Sequence, residues 1–146
     1  MTKTRLRVSL KRAPAMRVTK VSVGNERLCY LLVADKKLKY KSERSRIVYI
    51  GTTEKGLTRI SQSVATRADA ILGMHGVSEF KARVVTCAPR QHVKTWRKME
   101  RALLLVFREK YGEVPKLNKQ GVGIKEVDEF TYFAHSRIVT ILEDAG

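Results

Sequence analysis

A chain of 146 residues and 16.6 kDa, with 43% hydrophobic and 30% charged residues, fits one globular domain. It is long enough to bury a core without disulfides or structural metal and too short for a second full domain. The net charge of +16 and pI near 10.3 oppose compaction by self-repulsion and point to a polyanionic partner. No basic amphipathic helix, lipidation motif, signal peptide or membrane-spanning run is evident, so the expected partner is nucleic acid, with no membrane, and the expected setting is soluble and cytoplasmic.

The charge is uneven. Residues 1–125 hold 29 Lys/Arg against 9 Asp/Glu, whereas 126–146 hold 1 against 5, an acidic end on a basic body. Cys29 and Cys87, each in an apolar strand-like run, read as buried reduced thiols, and His75, His92 and His135 lack the spacing of a zinc site.

In chain order, Leu6, Val8 and Leu10 alternate with Arg5, Arg7, Ser9 and Lys11, the period of a half-buried strand with a basic outer face. Pro14 ends it. Met16 to Val23 reads as a second extended stretch and Gly24-Asn25 as a turn, so residues 1–27 predict a basic strand extension shaped as a hairpin. "LCYLLVA" (28–34) predicts a central strand and "RIVYIGT" (46–52) its antiparallel neighbour. Between them "DKKLKYKSERSR" predicts a long hairpin loop. Either it is simply solvated, or Lys36, Lys37, Lys39, Lys41, Arg44 and Arg46 grip phosphates and Tyr40 reaches a base.

From Leu57, apolar residues Ile60, Val64, Ala68, Ile71 and Leu72 recur at helical spacing until Gly73 and Gly76. "FKARVVTCA" (80–88) predicts a third strand. A long helix follows, about Val93 to Tyr111, closed by Gly112 and Pro115. The last helix, about Val127 to Leu142, carries Phe130, Phe133, Ala134, Ile138 and Ile141 on one face. This order predicts an α+β fold: a small, mostly antiparallel three-stranded sheet flanked by helices, with N-terminal basic strands and an extra C-terminal helix.

One residue stands out on the long helix. Trp96, Leu103, Phe107 and Tyr111 share a stripe, and Glu100 falls in its middle. A carboxylate facing the core is costly unless a cation, hydrogen bonds or a proton compensates it. An ion pair, snorkelling to the edge of the stripe and a metal site are the three readings.

Together these residues give the sequence a pattern that resembles the GIY-YIG nuclease family. "LCY" (28–30) stands where that family has GIY, and "YIG" (49–51) is intact. Arg59, Glu100 and the Asn118 of "PKLN" match its arginine, its metal-binding glutamate and its late asparagine. The resemblance covers about residues 28–120 and leaves 121–146 as an acidic C-terminal helix. Leu28 and Cys29 replace the first two residues of GIY, and the loop between the motifs is longer than usual. Thr52 and Ser63 stand about where a lysine or histidine is often found.

The resemblance implies that Tyr30, Tyr49, Arg59 and Glu100 are catalytic. Arg59 would offer a planar donor fork to the phosphate's non-bridging oxygens. Tyr30 and Tyr49, side by side on adjacent strands, would divide water activation and phosphate binding between them, in either assignment. Glu100 would hold Mg²⁺ or Mn²⁺, and one protein carboxylate suits an ion that keeps most of its waters. Gly51 is expected to turn the chain tightly beside the phosphate, and Asn118 to tie nearby backbone or cap a turn.

The implied function is a divalent-metal-dependent endonuclease that hydrolyses double-stranded DNA to 5′-phosphate and 3′-hydroxyl ends. A homodimer is expected if the apolar face of the last helix is exposed. The alternative is a non-catalytic DNA- or RNA-binding module that keeps the fold, for which an ion-paired Glu100 would be the mark.

Overall fold

The apolar run beginning at Leu28 forms the middle of the molecule. In the computed structural model, which describes residues 4–17, 19, 27–119 and 121–146, every residue from 28 to 34 is buried. Strand β1 (Leu28–Lys39) has β2 (Arg44–Thr53) on one side and β3 (Phe80–Val85) on the other, both antiparallel to it. A strand covered on both faces has no solvent side, which is why its sequence is a continuous apolar run rather than an alternation.

Helix α1 (Gly56–Leu72) covers the sheet face that carries Leu28, Tyr30 and Leu32, bringing Ile60 and Ile71 against them. Helix α2 (Thr95–Tyr111) covers the other, against Cys29, Leu31, Val33, Ile47 and Ile50, and α4 (His135–Ala145) packs on α2 in the same core. Between them lies the single turn α3 (Glu129–Tyr132). The sheet lies on one side of α2 and α3 with α4 on the other, so residues 102–107 are all buried. Gly112, at a φ of 83°, closes α2 with its amide on the Arg108 carbonyl at 2.8 Å. The architecture is thus α+β with a three-stranded antiparallel sheet, as the sequence predicts.

Four details differ. Residues 4–11 have no regular structure, and Leu6, Val8 and Leu10 are 91–96% exposed. Alternation supplies a face but not a partner, and one strand alone has no ladder to join. Most of the expected second stretch, with the Gly24-Asn25 turn, lies outside the described residues.

The expected long hairpin loop is short, most of its residues being taken up by the two strands. β1 runs on to Lys39, β2 begins at Arg44, and the Tyr40 amide bonds the Glu43 carbonyl at 3.0 Å. Tyr40 points inward at 2% exposure. Its hydroxyl donates to the Ile47 carbonyl at 2.6 Å and accepts from the Lys116 amide at 3.1 Å, while its ring meets Phe107 edge-on at 5.1 Å. That tyrosine is core and cannot stack on a base. The tip docks on the end of α2: the Ser42 amide donates to the Tyr111 carbonyl, the Lys41 amide to Glu113, and Lys110 pairs with Glu43.

The expected last helix is broken at Phe133 and Ala134, both extended. The reason is geometric. On one continuous helix Glu129 and Ile138, nine residues apart, would face opposite ways. Both are buried here, Glu129 against Arg101 of α2 and Ile138 in the core shared with α2, so the chain must bend between them. Of the apolar face on which the expected dimer depended, Ile138 is buried and Phe130, Phe133 and Ile141 are partly buried against the same core, while Ala134 is exposed. Finally, β3 stops at Val85, opposite Cys29 and one residue short of the end of β1.

Candidate active site

The antiparallel register sets Tyr30 directly opposite Gly51, with Tyr49 two residues before it on the same face. The two rings meet at 6.0 Å between centroids, tilted by 42°. A Cβ on Gly51 would lie 2.6 Å from Cζ of Tyr30 and 2.7 Å from Cε1 of Tyr49. Gly51 is therefore not the turn residue that the sequence suggests, but a strand residue whose missing side chain makes room for both rings. The turn into α1 is made later, at Gly56, where φ is 59°.

Helix α1 reaches this pair through Ser63 and Arg67. The Tyr30 hydroxyl donates to Ser63 Oγ at 2.7 Å, and an Arg67 Nη donates to the same oxygen at 2.8 Å. The Arg67 guanidinium also covers the Tyr49 ring at 3.8 Å from its centroid. Burial pushes the Tyr49 phenol above its ordinary value and Tyr30 adds to this. Arg67 pulls the other way, and the charge of Glu100 raises it further.

Arg59, the arginine singled out by the sequence, is exposed, and its guanidinium meets Gln62 at 3.4 Å. The cation on the tyrosines is Arg67. The sequence does carry a signal for it: 59, 63 and 67 recur every four residues and so lie along one stripe of α1. Spacing alone does not say which end of that stripe meets the sheet.

Glu100 is half-buried on α2, and among the described residues no hydrogen bond or ion pair meets its carboxylate. The cations flanking it are engaged elsewhere, Arg97 with Glu54 at 3.7 Å and Arg101 with Glu129 at 2.6 Å. Burial pushes its carboxyl up to about 7, against the pull of Arg97 and Arg101. Its charge raises the buried Cys29 thiol and adds slightly to the rise at Tyr49.

Glu100 borders an open cavity of about 340 Å³ lined by Arg101, Leu104, Gly121, Gly123 and Ile124. Among the described residues no cluster of three or more His, Cys, Asp or Glu could cage a metal. An unpartnered carboxylate beside open space nevertheless suits an ion whose other ligands are waters and substrate oxygens.

Asn118 is buried and clamps one residue of β2, accepting from the Ile50 amide and donating to the Ile50 carbonyl, each at 2.9 Å. With the Leu117 amide on the Val48 carbonyl it covers the outer edge of β2 and fixes the backbone that carries Tyr49 and Gly51. Cys29 donates its S–H to the Trp96 carbonyl at 3.1 Å, tying β1 to the start of α2 one turn before Glu100.

Lys36, Lys37, Lys39, Lys41, Arg44 and Arg46 are all exposed, on the hairpin end remote from the tyrosines. Six residues of strand separate Tyr30 from Lys36, roughly 20 Å at about 3.3 Å per residue. No helix among the described residues is long and apolar enough to cross a membrane. The chain matches no known family model, no curated protein and no solved structure.

Proposed function

We propose that this chain is a GIY-YIG-like endonuclease, a divalent-metal-dependent hydrolase of DNA phosphodiester bonds. The observation that carries the proposal is Glu100, a half-buried carboxylate that among the described residues accepts no hydrogen bond and forms no ion pair, on the same small domain as two adjoining tyrosines. A merely structural core glutamate would be paired, as Glu129 is.

In this reading water attacks phosphorus and gives up a proton to solvent, a new P–O bond forms, and the bond to the 3′ oxygen breaks as that oxygen takes up a proton from solvent, leaving 5′-phosphate and 3′-hydroxyl. Tyr49, whose phenol burial keeps protonated at neutral pH, donates to a non-bridging oxygen. Tyr30, its hydroxyl hydrogen turned to Ser63, keeps its lone pairs to accept from the attacking water. Arg59, tied only to Gln62, is the exposed guanidinium available to grip the phosphate from the rim of α1. Glu100 would hold Mg²⁺ or Mn²⁺, which would polarise a phosphate oxygen and stabilise the leaving oxygen. Protons compete with metal at a carboxyl raised to about 7, so cutting should strengthen from about pH 6 to about pH 8.

Supercoiled plasmid nicking in Mg²⁺, Mn²⁺ and EDTA, beside Glu100→Ala purified identically, tests the proposal. Metal-dependent nicking that the substitution abolishes is expected; equal nicking by both proteins would exclude Glu100 from the chemistry. The second reading, a binding module without catalysis, draws on the separation of Arg59 from the tyrosine pair. Salt-sensitive DNA binding with no nicking in either metal would favour it.

A further inference from the structure

We propose that Arg67, acting through Ser63, is the positioning residue that sets the tyrosine pair: it fixes the ring of Tyr49 and directs the hydroxyl of Tyr30. The catalytic consequence rests on the nuclease reading above; the physical role of Arg67 does not.

Three contacts converge on this residue. Its guanidinium lies over the Tyr49 ring at 3.8 Å, one of its Nη atoms donates to Ser63 Oγ at 2.8 Å, and that oxygen also accepts from Tyr30 at 2.7 Å. A serine oxygen has two acceptor lone pairs. Both are taken, one by Arg67 and one by Tyr30, so the Tyr30 hydrogen is committed toward α1 and its lone pairs face away from the helix. One guanidinium therefore constrains both phenols, one by stacking and the other through an intervening hydroxyl.

Only arginine can do both. A guanidinium is planar, so it can lie flat on a ring while its N–H groups donate in the ring's plane, whereas a lysine ammonium is a point charge with no face. The positive charge also opposes the groups that disfavour the phenolate of Tyr49. These face it from one strand and two helices: Tyr30 on β1, Glu100 on α2, and burial under α1. Of the cations on α1, Arg67 is the one in contact with the pair, while Arg59 bonds Gln62. Gly51 completes the arrangement, since any side chain there would push the rings off the geometry that Arg67 and Ser63 hold.

The test uses the full chain labelled with carbon-13 at tyrosine Cζ, the Tyr49 and Tyr30 signals being assigned from Tyr49→Phe and Tyr30→Phe. Arg67→Gln keeps a good helix former at a partly exposed position, so the fold is expected to survive. Phenolate formation at Tyr49 should then require higher pH, with roughly three- to tenfold less phenolate at a given pH. Ser63→Ala should move the Tyr30 signal, and Ser63→Thr, which keeps the hydroxyl, should restore it. Identical titration of Tyr49 in Arg67→Gln and the unsubstituted chain, with only a lowered melting temperature, would reduce Arg67 to packing and overturn the proposal.

Plasmid cutting supplies the second readout. Arg67→Gln and Arg67→Lys should lower kcat about ten- to hundredfold with little change in KM, as misplacement of reacting groups does. Undiminished kcat in both would overturn the positioning role. If the unsubstituted protein does not cut at all, the nuclease reading fails, and the tyrosine titration still decides whether Arg67 governs the pair.

Discussion

Two glutamates in this chain leave water in opposite ways. Glu129 is 1% exposed yet held charged: burial pushes it up, but the Arg101 hydrogen bond at 2.6 Å and the Val127 amide at 2.8 Å outweigh that and keep it below the ordinary carboxylate range. Glu100 has neither partner, and its carboxyl rises from 4.5 to about 7. A carboxyl raised on folding destabilises the fold once it ionises. The penalty is absent below pH 4.5, grows between 4.5 and about 7, and is complete above that. Glu100→Gln should therefore stabilise the protein at about pH 8, by up to about 3 kcal/mol, and change little at about pH 4.5. Urea unfolding at the two pH values measures this, and equal effects at both would mean that the carboxyl is not raised. Added Mn²⁺ should raise the melting temperature of the unsubstituted chain at about pH 8 and leave Glu100→Gln unmoved. At Gly51 the strain has the other sign: Gly51→Ala places a methyl 2.6 Å from the Tyr30 ring and should cost about 1–3 kcal/mol in thermal or urea unfolding.

Elements are legible in the sequence where one physical signal dominates. The run 28–34 announces a strand covered on both faces, and the periodic residues of α1 and α2 announce helices ended by glycine. The hairpin's strands read as shorter than they are because six cations mask an alternation in which Leu38, Tyr40, Ser45 and Ile47 point inward. The break before α4 is hidden because it depends on a partner: nothing local in "EFTYFAHS" says that Glu129 must meet Arg101 across the molecule. The site divides the same way. Tyr30, Tyr49, Gly51 and Glu100 are visible as types in a spaced pattern, whereas Arg67 is one arginine on a basic helix until the fold lays it over Tyr49. The α2–α3 contact is open to test by substitution. Arg101→Met leaves a buried charge at Glu129 and should cost roughly 3 kcal/mol in urea unfolding, and Arg101→Met with Glu129→Leu should recover most of it. A double substitution as unstable as the single one would mean that the pair does not hold α3 in place.

Over the whole molecule, the acidic end is spent on α2. Asp128 pairs with Lys98 at 2.6 Å, Glu129 with Arg101 at 2.6 Å and Glu143 with Lys110 at 3.4 Å, so the negative tail neutralises one side of the long helix. Exposed positive charge remains on the N-terminal stretch, the hairpin, the rim of α1, β3 (Lys81, Arg83) and the segments flanking α2 (Arg90, Lys94, Lys119, Lys125). The hairpin cations stand roughly 20 Å along β1 from Tyr30, about six nucleotides at the roughly 3.4 Å rise of one DNA strand. On the nuclease reading, a duplex reaching from the hairpin to the tyrosine end of the sheet would meet both, the hairpin gripping backbone while the tyrosine end faces one phosphate. Phosphate contacts of this kind set register and affinity but read no sequence. Changing Lys36, Lys37, Lys39 and Lys41 to Gln should then weaken binding about equally for unrelated duplexes and flatten the log–log salt dependence by roughly 0.9 for each phosphate that is no longer neutralised. Tyr49→Phe, which keeps the ring and every cation, should leave that slope unchanged. Fluorescence anisotropy across a salt series separates these outcomes. An unchanged slope in the four-lysine variant would move the duplex off the hairpin and onto the other exposed cations.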